Sequence, residues 1–401
     1  MAEPIQVEPH SVAVEDYRDS FFSHPPTDLR FESTKYHKFY PSNALKDTEP
    51  INLVVPRWNG RSTWGGFTLL TRMKICKKDG SAPDNDQVAA PINNIASSLY
   101  KDQKTWLNGV NITPNSGDHA YKSFMEVNLT YDTQSKNGFL QAAGFYKDTP
   151  LHMDKIDSSN MGFFERLDLF CTAVPEKDGP KPESLKTRDW TTEGRWFVGG
   201  LRTDFNHPIP NGVDIRFELT PQDSDFFMMT TPDSHLTYKI MNVVLLAKAQ
   251  TLQAPIYESI EQRCKTEDMN IPFKRKEIKI ITLPKGTKAF TTDQLFAGNS
   301  STPSRMIVGF VEEKARLGHV GKNPFNFMNK FGNSELMYLK ASLNGEDVDG
   351  FNHEDCPELN FFKLQTVLGM TDGATNGLFL ENFLSGKKHA HSAQQPRKTF
   401  I

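Results

Sequence analysis

The chain has 401 residues, of which 37% are hydrophobic and 24% are charged, and its formal net charge is -3. This length allows two domains that each bury a core, and the composition excludes a disordered or fibrous protein. The slightly acidic balance excludes a protein that binds nucleic acid through overall positive charge, so we expect no specific nucleic-acid partner.

The cysteines and the N-terminal residues indicate where the protein is made. Cys76, Cys171, Cys264 and Cys356 lie far apart, a spacing that favours neither a disulfide framework nor a zinc site. Residues 1–10 are polar, and no segment reaches the roughly 18 apolar residues of a membrane span. We therefore expect reduced thiols, synthesis inside the cell without a signal peptide, and no membrane span.

Residues 1–45 are predicted to form an N-terminal arm. They combine the Pro25-Pro26 pair with several aromatic residues and show no sustained helical or strand period. A segment of this kind cannot bury its own apolar surface. Its aromatic side chains are therefore expected to dock on the body of the protein or on a neighbouring subunit.

Residues 46–250 are predicted to form a first β domain. Apolar and charged residues alternate strictly in Val213–Leu219, which indicates a strand with one core face and one solvent face. Asn108-Gly109, flanked by strand-like residues, predicts a tight hairpin with a type I′ turn. The helical spacing of Tyr121, Phe124, Met125 and Leu129 predicts a short amphipathic helix. Further strands are expected at Ile51–Val55, Phe67–Ile75 and Tyr238–Ala247, and a solvated loop at residues 172–190.

Residues 251–401 are predicted to form a second β domain. A linker is expected around residues 251–272, and strands are expected at Ile278–Leu283, Met306–Val311 and Leu336–Leu343. Strands outnumber helices in both halves. The chain is therefore predicted to be mainly β.

The two halves share an order of features. A strand ending in Leu107-Asn108-Gly109 is followed by an aromatic-rich segment and by Asn137-Gly138, and Leu343-Asn344-Gly345 is followed in the same way by Asn376-Gly377. The spacing from Asn108 to Asn344 agrees with that from Asn137 to Asn376 to within three residues. Asn-Gly is a common turn, so coincidence is one explanation. Tandem copies of one β domain is the alternative that we favour.

The second copy is shorter than the first at its end. After Gly138 the first copy continues through Val213–Leu219 and Tyr238–Ala247, whereas the residues after Gly377 end in a polar tail without such a strand. A jelly roll needs about eight strands to close its two sheets, so the second copy is predicted to lack its last strands. Such a barrel would have an unpaired sheet edge, which favours association or misfolding.

Several blocks of residues, spread from about residue 15 to residue 383, carry a resemblance to a known family. The most specific block is Asn323-Pro324-Phe325-Asn326-Phe327. The others, in order, are Phe21–Thr27, Pro91–Asn94, Ser98–Tyr100, Leu107–Gly109, Ile112–Pro114, Tyr121–Tyr131, Phe145–Asp148, Leu295–Gly298 and Arg305–Val311. Together they resemble the double jelly-roll major capsid proteins of Polinton (Maverick) transposable elements and adintoviruses. Members of that family continue past the position of Asn382-Phe383 with further strands.

The resemblance implies two tandem jelly-roll barrels, the second one incomplete, and a structural role in a virion rather than catalysis. Three chains would form a pseudo-hexagonal homotrimer that tiles an icosahedral shell beside other capsid proteins such as a penton protein. A host-integrated or decayed copy of the capsid gene is left open. In that arrangement the inserted loop at residues 172–190 would lie on the outside.

An enzyme is one alternative, but no pattern in the sequence favours an enzyme of any class. We predict no catalytic, cofactor-binding or metal site. The 11 histidines are scattered, and the close pair His389 and His391 lies in a polar tail. The acid pairs Glu312-Glu313 and Glu354-Asp355 lie in polar surroundings typical of solvated loops. No cofactor is therefore expected.

A jelly-roll carbohydrate-binding protein, similar to lectins, remains the main alternative. Such a protein would present aromatic side chains on one sheet face. Trp58, Trp64, Trp190 and Trp196 are the candidate platforms, although packing in the core or between subunits explains large aromatic residues more often.

Overall fold

The computed structural model describes residues 30–46, 49–57, 60–113, 117–173, 188–199, 201, 208–210, 212–231, 234, 236–269, 271, 276–292, 306–327, 330–331, 334–343, 346–352 and 357–368. Within these residues the protein is mainly β, and every strand pair is antiparallel.

The strands are β1 (Phe31–Phe39), β2 (Ile51–Val55), β3 (Ser62–Lys77), β4 (Ala89–Pro91), β5 (Tyr100–Leu107), β6 (Val110–Asn111), β7 (Cys171–Ala173), β8 (Arg188–Trp190), β9 (Arg195–Gly199), β10 (Ile209–Pro210), β11 (Ile215–Pro221), β12 (Met228–Thr230), β13 (Leu236–Leu252), β14 (Lys330–Phe331), β15 (Ser334–Glu335), β16 (Tyr338–Leu343) and β17 (Glu346–Asn352). The helices are α1 (Ile95–Ser98), α2 (His119–Thr130), α3 (Thr133–Asn137), a 3-10 helix (Phe139–Ala143), α4 (Met161–Asp168), α5 (Ser224–Phe227), α6 (Ala254–Cys264), α7 (Glu313–Arg316) and α8 (Pro357–Leu368).

Two sheets face each other in the first half of the chain. The five-stranded sheet has the order β1-β13-β3, followed by β9 and β10, which pair with successive parts of the same edge of β3. The four-stranded sheet has the order β2-β11-β5-β6. If β9 and β10 are treated as one interrupted strand, eight strands make up these two sheets, in the orders 1-8-3-6 and 2-7-4-5. This is the strand order of a jelly roll.

The hydrophobic core lies between the two sheets. Inward residues of β3 and β11 meet across it, with the Phe67 and Phe217 rings edge to face at 5.2 Å between centroids. The hydroxyls of Thr71 and Tyr100 form a buried hydrogen bond of 2.8 Å between the sheets. Alternate residues of β11 are buried, from Ile215 to Pro221, which confirms the period-two pattern predicted there.

The predicted hairpin at Asn108-Gly109 is confirmed. Leu107 pairs with Val110 across a two-residue turn, and both turn residues have positive φ, 47° at Asn108 and 81° at Gly109. A type I′ turn requires this conformation at both of its central positions, which is why Asn-Gly is favoured there. The predicted amphipathic helix is confirmed as α2.

The strand predictions in the first half are confirmed, with shifts at their ends. β2 has the predicted bounds, while β3 and β13 are longer than predicted because each is the main partner of the other. The ends of the predicted loop at 172–190 pair as β7 and β8, and residues 174–187 lie outside the described residues.

Residues 31–39 of the predicted arm are a regular strand, which the sequence pattern did not indicate. They form β1, which pairs with β13 from Phe31 to Phe39 at the edge of the five-stranded sheet. On the side of the sheet that carries the buried Ala247 and Ala249 of β13, β1 contributes His37 and the exposed Lys35, so no apolar alternation marks this strand in the sequence. Residues 1–29 lie outside the described residues.

Three predictions in the second half are wrong, while the strand expected at Leu336–Leu343 is confirmed as β16. The predicted linker contains the last residues of β13 and the helix α6, which has Pro255 in its first turn, a favoured position. Ile278–Leu283 and Met306–Val311 are not strands, although both runs have strand-like composition. Among the described residues neither run pairs with another strand, and without such pairing an isolated β-prone segment gains no ladder hydrogen bonds.

The second half contains a hairpin followed by a helix, as the first half does. In the second hairpin Leu343 pairs with Glu346, which gives the same two-residue connection as Leu107 and Val110. Each hairpin is followed by a 12-residue helix, α2 in the first half and α8 in the second. The spacing between the starts of these helices, His119 and Pro357, agrees with that of the sequence repeat. The predicted loss of the last strands concerns residues after Gly377, which lie outside the described residues.

Membrane insertion through a helix finds no support in the part of the chain that the structure describes. None of its helices has the length and apolar composition that a bilayer crossing needs.

Lys136 gives the first half a predictable pH dependence. Its Nζ donates to the Asn128 carbonyl oxygen at the end of α2, at 2.8 Å, and burial, with a smaller effect of the Lys147 charge, lowers its pKa from 10.5 to about 8. Between those values the unfolded chain binds this proton and the folded chain does not, so the free energy of unfolding rises with pH. Below pH 8 both forms are protonated and this contribution is constant. Urea denaturation at pH 8 and pH 10 is expected to show a rise for the parent chain that is smaller for Lys136→Met. An equal rise in the free energy of unfolding in the two proteins would contradict a lowered pKa of Lys136.

Candidate assembly surface and interdomain contact

The outward side of the five-stranded sheet carries a concentration of positive charge. The register places Lys74 beside Lys239 and Arg72 beside Trp196 at one end, and Lys38 beside Leu246 at the other. We call this surface the basic face, and its residues are Tyr36, Lys38, Thr68, Leu70, Arg72, Lys74, Trp196, Val198, Lys239, Met241, Asn242, Val244, Leu246 and Lys248. None of these residues carries a carboxylate.

An aliphatic row crosses the middle of the basic face. Val198 pairs with Leu70, and Leu70 pairs with Val244, so three strands contribute one side chain each. Val198 of this row is 39% exposed, as is Met241 on the same face, whereas Val244 is buried at 6%. Apolar residues surrounded by charged ones form the usual anatomy of a protein–protein interface.

Arg72 links the charged and aromatic parts of this face. Its guanidinium lies 5.9 Å from the centre of the Trp196 ring and forms an exposed ion pair with Glu193 at 3.4 Å. Trp196 is 42% exposed. Arginine and tryptophan are among the residue types that contribute most to binding energy in interfaces.

The outward side of the four-stranded sheet has balanced charges. Glu218 accepts from Lys104 and from Arg216, at 2.9 Å in each case, and Arg216 lies over the Trp106 ring. Burial raises the pKa of Asp102 on the neighbouring strand, an effect that the Lys104 charge opposes. The charges of Lys104, Arg216 and Glu218 on this side are therefore paired with one another on the sheet itself.

The four tryptophans considered as sugar platforms have different surroundings. Trp64 is in the core at 2% exposure, edge to face with His37 and Phe39, and Trp190 donates to the Asp84 carbonyl oxygen at 3.2 Å. Trp196 lies on the basic face, and Trp58 is outside the described residues. The structure does not bring the three described side chains onto one surface.

A second contact joins the specific Asn-Pro-Phe block to the jelly roll. The Phe325 ring is stacked on the Phe124 ring of α2, with centroids 4.0 Å apart and an angle of 2°, and Tyr121 meets Phe325 and Phe327 edge to face. We call this cluster, with Phe226, the aromatic seam. Phe325 is fully buried.

Hydrogen bonds fix the chain direction at the aromatic seam. Asp154 accepts from the Asn323 backbone N–H at 2.9 Å and from the Asn326 Nδ2 at 2.8 Å, and the Asn323 Nδ2 donates to the Met153 carbonyl oxygen. Gly318 approaches the backbone of Asp225 so closely that a Cβ would lie 2.5 Å from the Asp225 carbonyl carbon. Residues 306–327, which were predicted to belong to a second β domain, therefore pack on the first half of the chain.

Among the described residues, no group of three or more His, Cys, Asp or Glu side chains is arranged to hold a metal ion. Glu312, one member of the acid pair Glu312-Glu313, forms an ion pair with Lys322 at 2.8 Å. Glu354-Asp355, His389 and His391 lie outside the described residues.

The basic face was not predicted from the sequence. Its signal is a cation at successive outward positions of a strand, as in Arg72 and Lys74 between the inward Thr71, Met73 and Ile75. Each segment alone has the pattern of a half-exposed strand. The charge becomes concentrated only when the register aligns β1, β3 and β13.

No protein-family model matches the chain. The chain is 25% identical over 294 residues to the uncharacterized protein F54H12.2 of Caenorhabditis elegans, an alignment that covers 71% of this chain and 62% of the relative. The chain thus spans less than two thirds of that relative's length.

Three solved structures of viruses or their capsid proteins are similar to part of the chain. A chain of the Sputnik virophage gives a TM-score of 0.39 at 12% identity, over 63% of this chain and 54% of that one. The Faustovirus major capsid protein gives 0.38 at 10% identity, over 61% and 58%. The mavirus major capsid protein gives 0.31 at 12% identity, over 64% and 54%. The chain spans just over half the length of each of these proteins.

Proposed function

We propose that this chain is a structural capsid subunit built from two tandem jelly rolls, the second one shortened, of the type found in Polinton elements and adintoviruses. The observation that carries the proposal is the strand order of the first half, 1-8-3-6 and 2-7-4-5, together with the hairpin and 12-residue helix that recur in the second half. The sequence resemblance in the Asn323–Phe327 block supports it, and Phe325 of this block is buried against the first jelly roll.

In the proposed assembly three chains form a pseudo-hexagonal capsomer, and capsomers tile an icosahedral shell with other capsid proteins such as a penton protein. The protein acts by packing rather than by chemistry, and its location is the virion after synthesis inside the host cell. The domain boundaries that we propose are 1–45, 46–250 and 251–401. A barrel pair of this kind offers two different lateral surfaces, and three copies in a ring bring unlike surfaces together.

The solution mass tests this proposal. Sedimentation equilibrium of the purified chain is expected to show a discrete species of three times the monomer mass of 45.4 kDa. Electron microscopy of that species is expected to show particles with six-fold appearance. A folded monomer at all concentrations would sink the capsid role.

The half-exposed Trp196 is the observation that favours a carbohydrate-binding protein as the second candidate. A glycan array and titration calorimetry on the same preparation distinguish the two. Saturable glycan binding by a monomer, lost in Trp196→Ala, would support the second candidate, and a trimer without glycan binding would support the first.

A further inference from the structure

The cations of the basic face are spaced in steps along its strands. Successive outward residues of a strand are about 6.7 Å apart, so the face consists of rows that cross its strands at this interval. From one end to the other the rows contain Lys248 with Tyr36, Lys38 with Leu246, the aliphatic row, Arg72 with Trp196, and Lys74 with Lys239. Every row except the aliphatic one therefore carries a cation. Gly66, the partner of Lys248, lies eight residues from Lys74 on β3, so the rows together span about 27 Å.

Carboxylates neutralise little of this positive charge. Among the described residues, Arg72 pairs with Glu193 at the rim of the face, and no ion pair engages Lys38, Lys239 or Lys248. The Glu193 side chain is 84% exposed, and an exposed pair of this kind is weak, so a multivalent anion would displace it. The basic face therefore offers a line of positive charge that fits a linear polyanion.

An exposed aromatic ring accompanies the cations toward each end of the face. Tyr36 is 64% exposed beside Lys248, and Trp196 is 42% exposed beside Arg72. Surfaces that bind single-stranded nucleic acid without sequence preference combine cations that follow the phosphates with aromatic rings on which the bases stack. A duplex keeps its bases inside the helix and would leave both rings unused.

The apolar residues of the face favour a nucleic acid over a membrane as its partner. Val244 is buried at 6%, and Val198 and Met241 are each 39% exposed. A surface that docks on a membrane buries its apolar side chains in the lipid. The aliphatic row offers little surface for such insertion, whereas the cations and the two rings are open to solvent.

We propose that the basic face binds single-stranded nucleic acid without sequence preference. The strand crosses the sheet from Tyr36 on β1 to Trp196 on β9, its phosphates contact the charged rows, and bases stack on the two rings. The net charge of -3 for the whole chain does not indicate this surface, because acidic residues elsewhere outweigh its cations. The inference goes beyond the proposed capsid subunit and does not depend on its oligomeric state.

The salt dependence of binding tests the role of the cations. Fluorescence anisotropy of a labelled deoxythymidylate dodecamer measures the affinity of the full chain. Neutralising one phosphate of a single strand by each of the five cations gives a slope of about -3.5 for log affinity against log salt concentration. Lys74→Gln with Lys239→Gln is expected to reduce this slope to about -2 and to weaken binding at least tenfold at low salt.

The matched control removes the same charge from the opposite side of the molecule. Lys101→Gln with Lys104→Gln changes two lysines of β5 in the four-stranded sheet and is expected to keep the slope of the parent chain. Circular dichroism of both double variants establishes that each is folded.

Replacing Trp196 tests the role of stacking. Trp196→Ala is expected to weaken oligonucleotide binding about tenfold, and Trp196→Phe is expected to retain most of the affinity. The salt slope is expected to stay the same in both variants, because neither removes a cation. Binding of poly-L-glutamate, which has no bases, is expected to be weaker than that of the oligonucleotide and equal in the parent chain and Trp196→Ala.

Three results would overturn the proposal. The first is a parent chain that does not bind the oligonucleotide, and the second is an equal slope in the two double lysine variants. The third is binding to poly-L-glutamate, or to vesicles of phosphatidylcholine and phosphatidylserine, that is as tight as oligonucleotide binding, which would assign the face to an acidic protein or to a membrane. Sedimentation equilibrium decides the capsomer separately, so either proposal can fail without the other.

Discussion

Replacing Arg166 by methionine is expected to lower the free energy of unfolding by about 3–5 kcal/mol. The guanidinium is fully buried and donates to the carbonyl oxygens of Pro91 and Tyr146, at 2.8 and 3.0 Å, and to the Asp148 carboxylate at 2.8 Å. It thereby joins α4, β4 and the loop after the 3-10 helix. Its removal leaves the Asp148 carboxylate buried and without its counter-charge, which costs more than the pair itself contributes.

Urea denaturation followed by circular dichroism measures this effect. Arg61→Met is the matched control, because Arg61 pairs with Glu32 at 3.1 Å on the surface, and exposed pairs contribute about 0–1 kcal/mol. The double change Arg166→Met with Asp148→Asn is expected to recover part of the loss. Equal stabilities of Arg166→Met and Arg61→Met would show that the buried pair contributes no more than a surface pair.

Replacing Phe325 by alanine is expected to cost about 3–5 kcal/mol, the range for large buried aromatic residues. The ring is stacked on Phe124 and meets Tyr121 edge to face at 5.8 Å, so its loss opens the centre of the aromatic seam. The effect should fall on the attachment of residues 306–327 more than on the two sheets, because Phe325 packs on α2 outside the sheet sandwich.

Limited proteolysis with mass spectrometry separates a loss of attachment of residues 306–327 from a loss of stability of the two sheets. In Phe325→Ala we expect cleavage within residues 306–327 to accelerate while the region of β1 to β13 remains resistant. Phe290→Ala is the control, since Phe290 is 50% exposed and surface changes usually stay within about 0.5 kcal/mol. The aromatic seam would lose its assigned role if both variants were cut at the rate of the parent chain.

The sequence predicted those elements whose pattern reports directly on burial. Val213–Leu219 alternates because one side of β11 faces the core, and Asn108-Gly109 adopts positive φ in a turn that demands it. Both signals are local. β1 escaped prediction because its partner β13 lies at the far end of the first half and pairs mainly through the backbone, so His37 and the exposed Lys35 are tolerated on the side of the sheet that faces the other sheet.

The failed strand predictions have the converse cause. Ile278–Leu283 has the β-branched residues of a strand, but a strand is stabilised by its neighbours, and the described residues offer that segment none. The basic face could not be predicted for a similar reason, because it also depends on which strands become neighbours. Lys38, Arg72 and Lys239 are ordinary in their own segments and become a surface only through the register of three strands.

The pairing of β3 with β13 has a consequence for the folding of the chain during its synthesis. β3 ends at Lys77 and its principal partner begins at Leu236, so most of the first half of the chain is synthesised between them. At about 5–20 residues per second, the nascent chain carries an incomplete sheet for about 8–30 s before β13 emerges. Non-local pairing of this kind folds slowly, and unpaired strands are prone to aggregate. The interval between synthesis of β3 and β13 is therefore the period in which the unpaired edge of β3 is most open to aggregation.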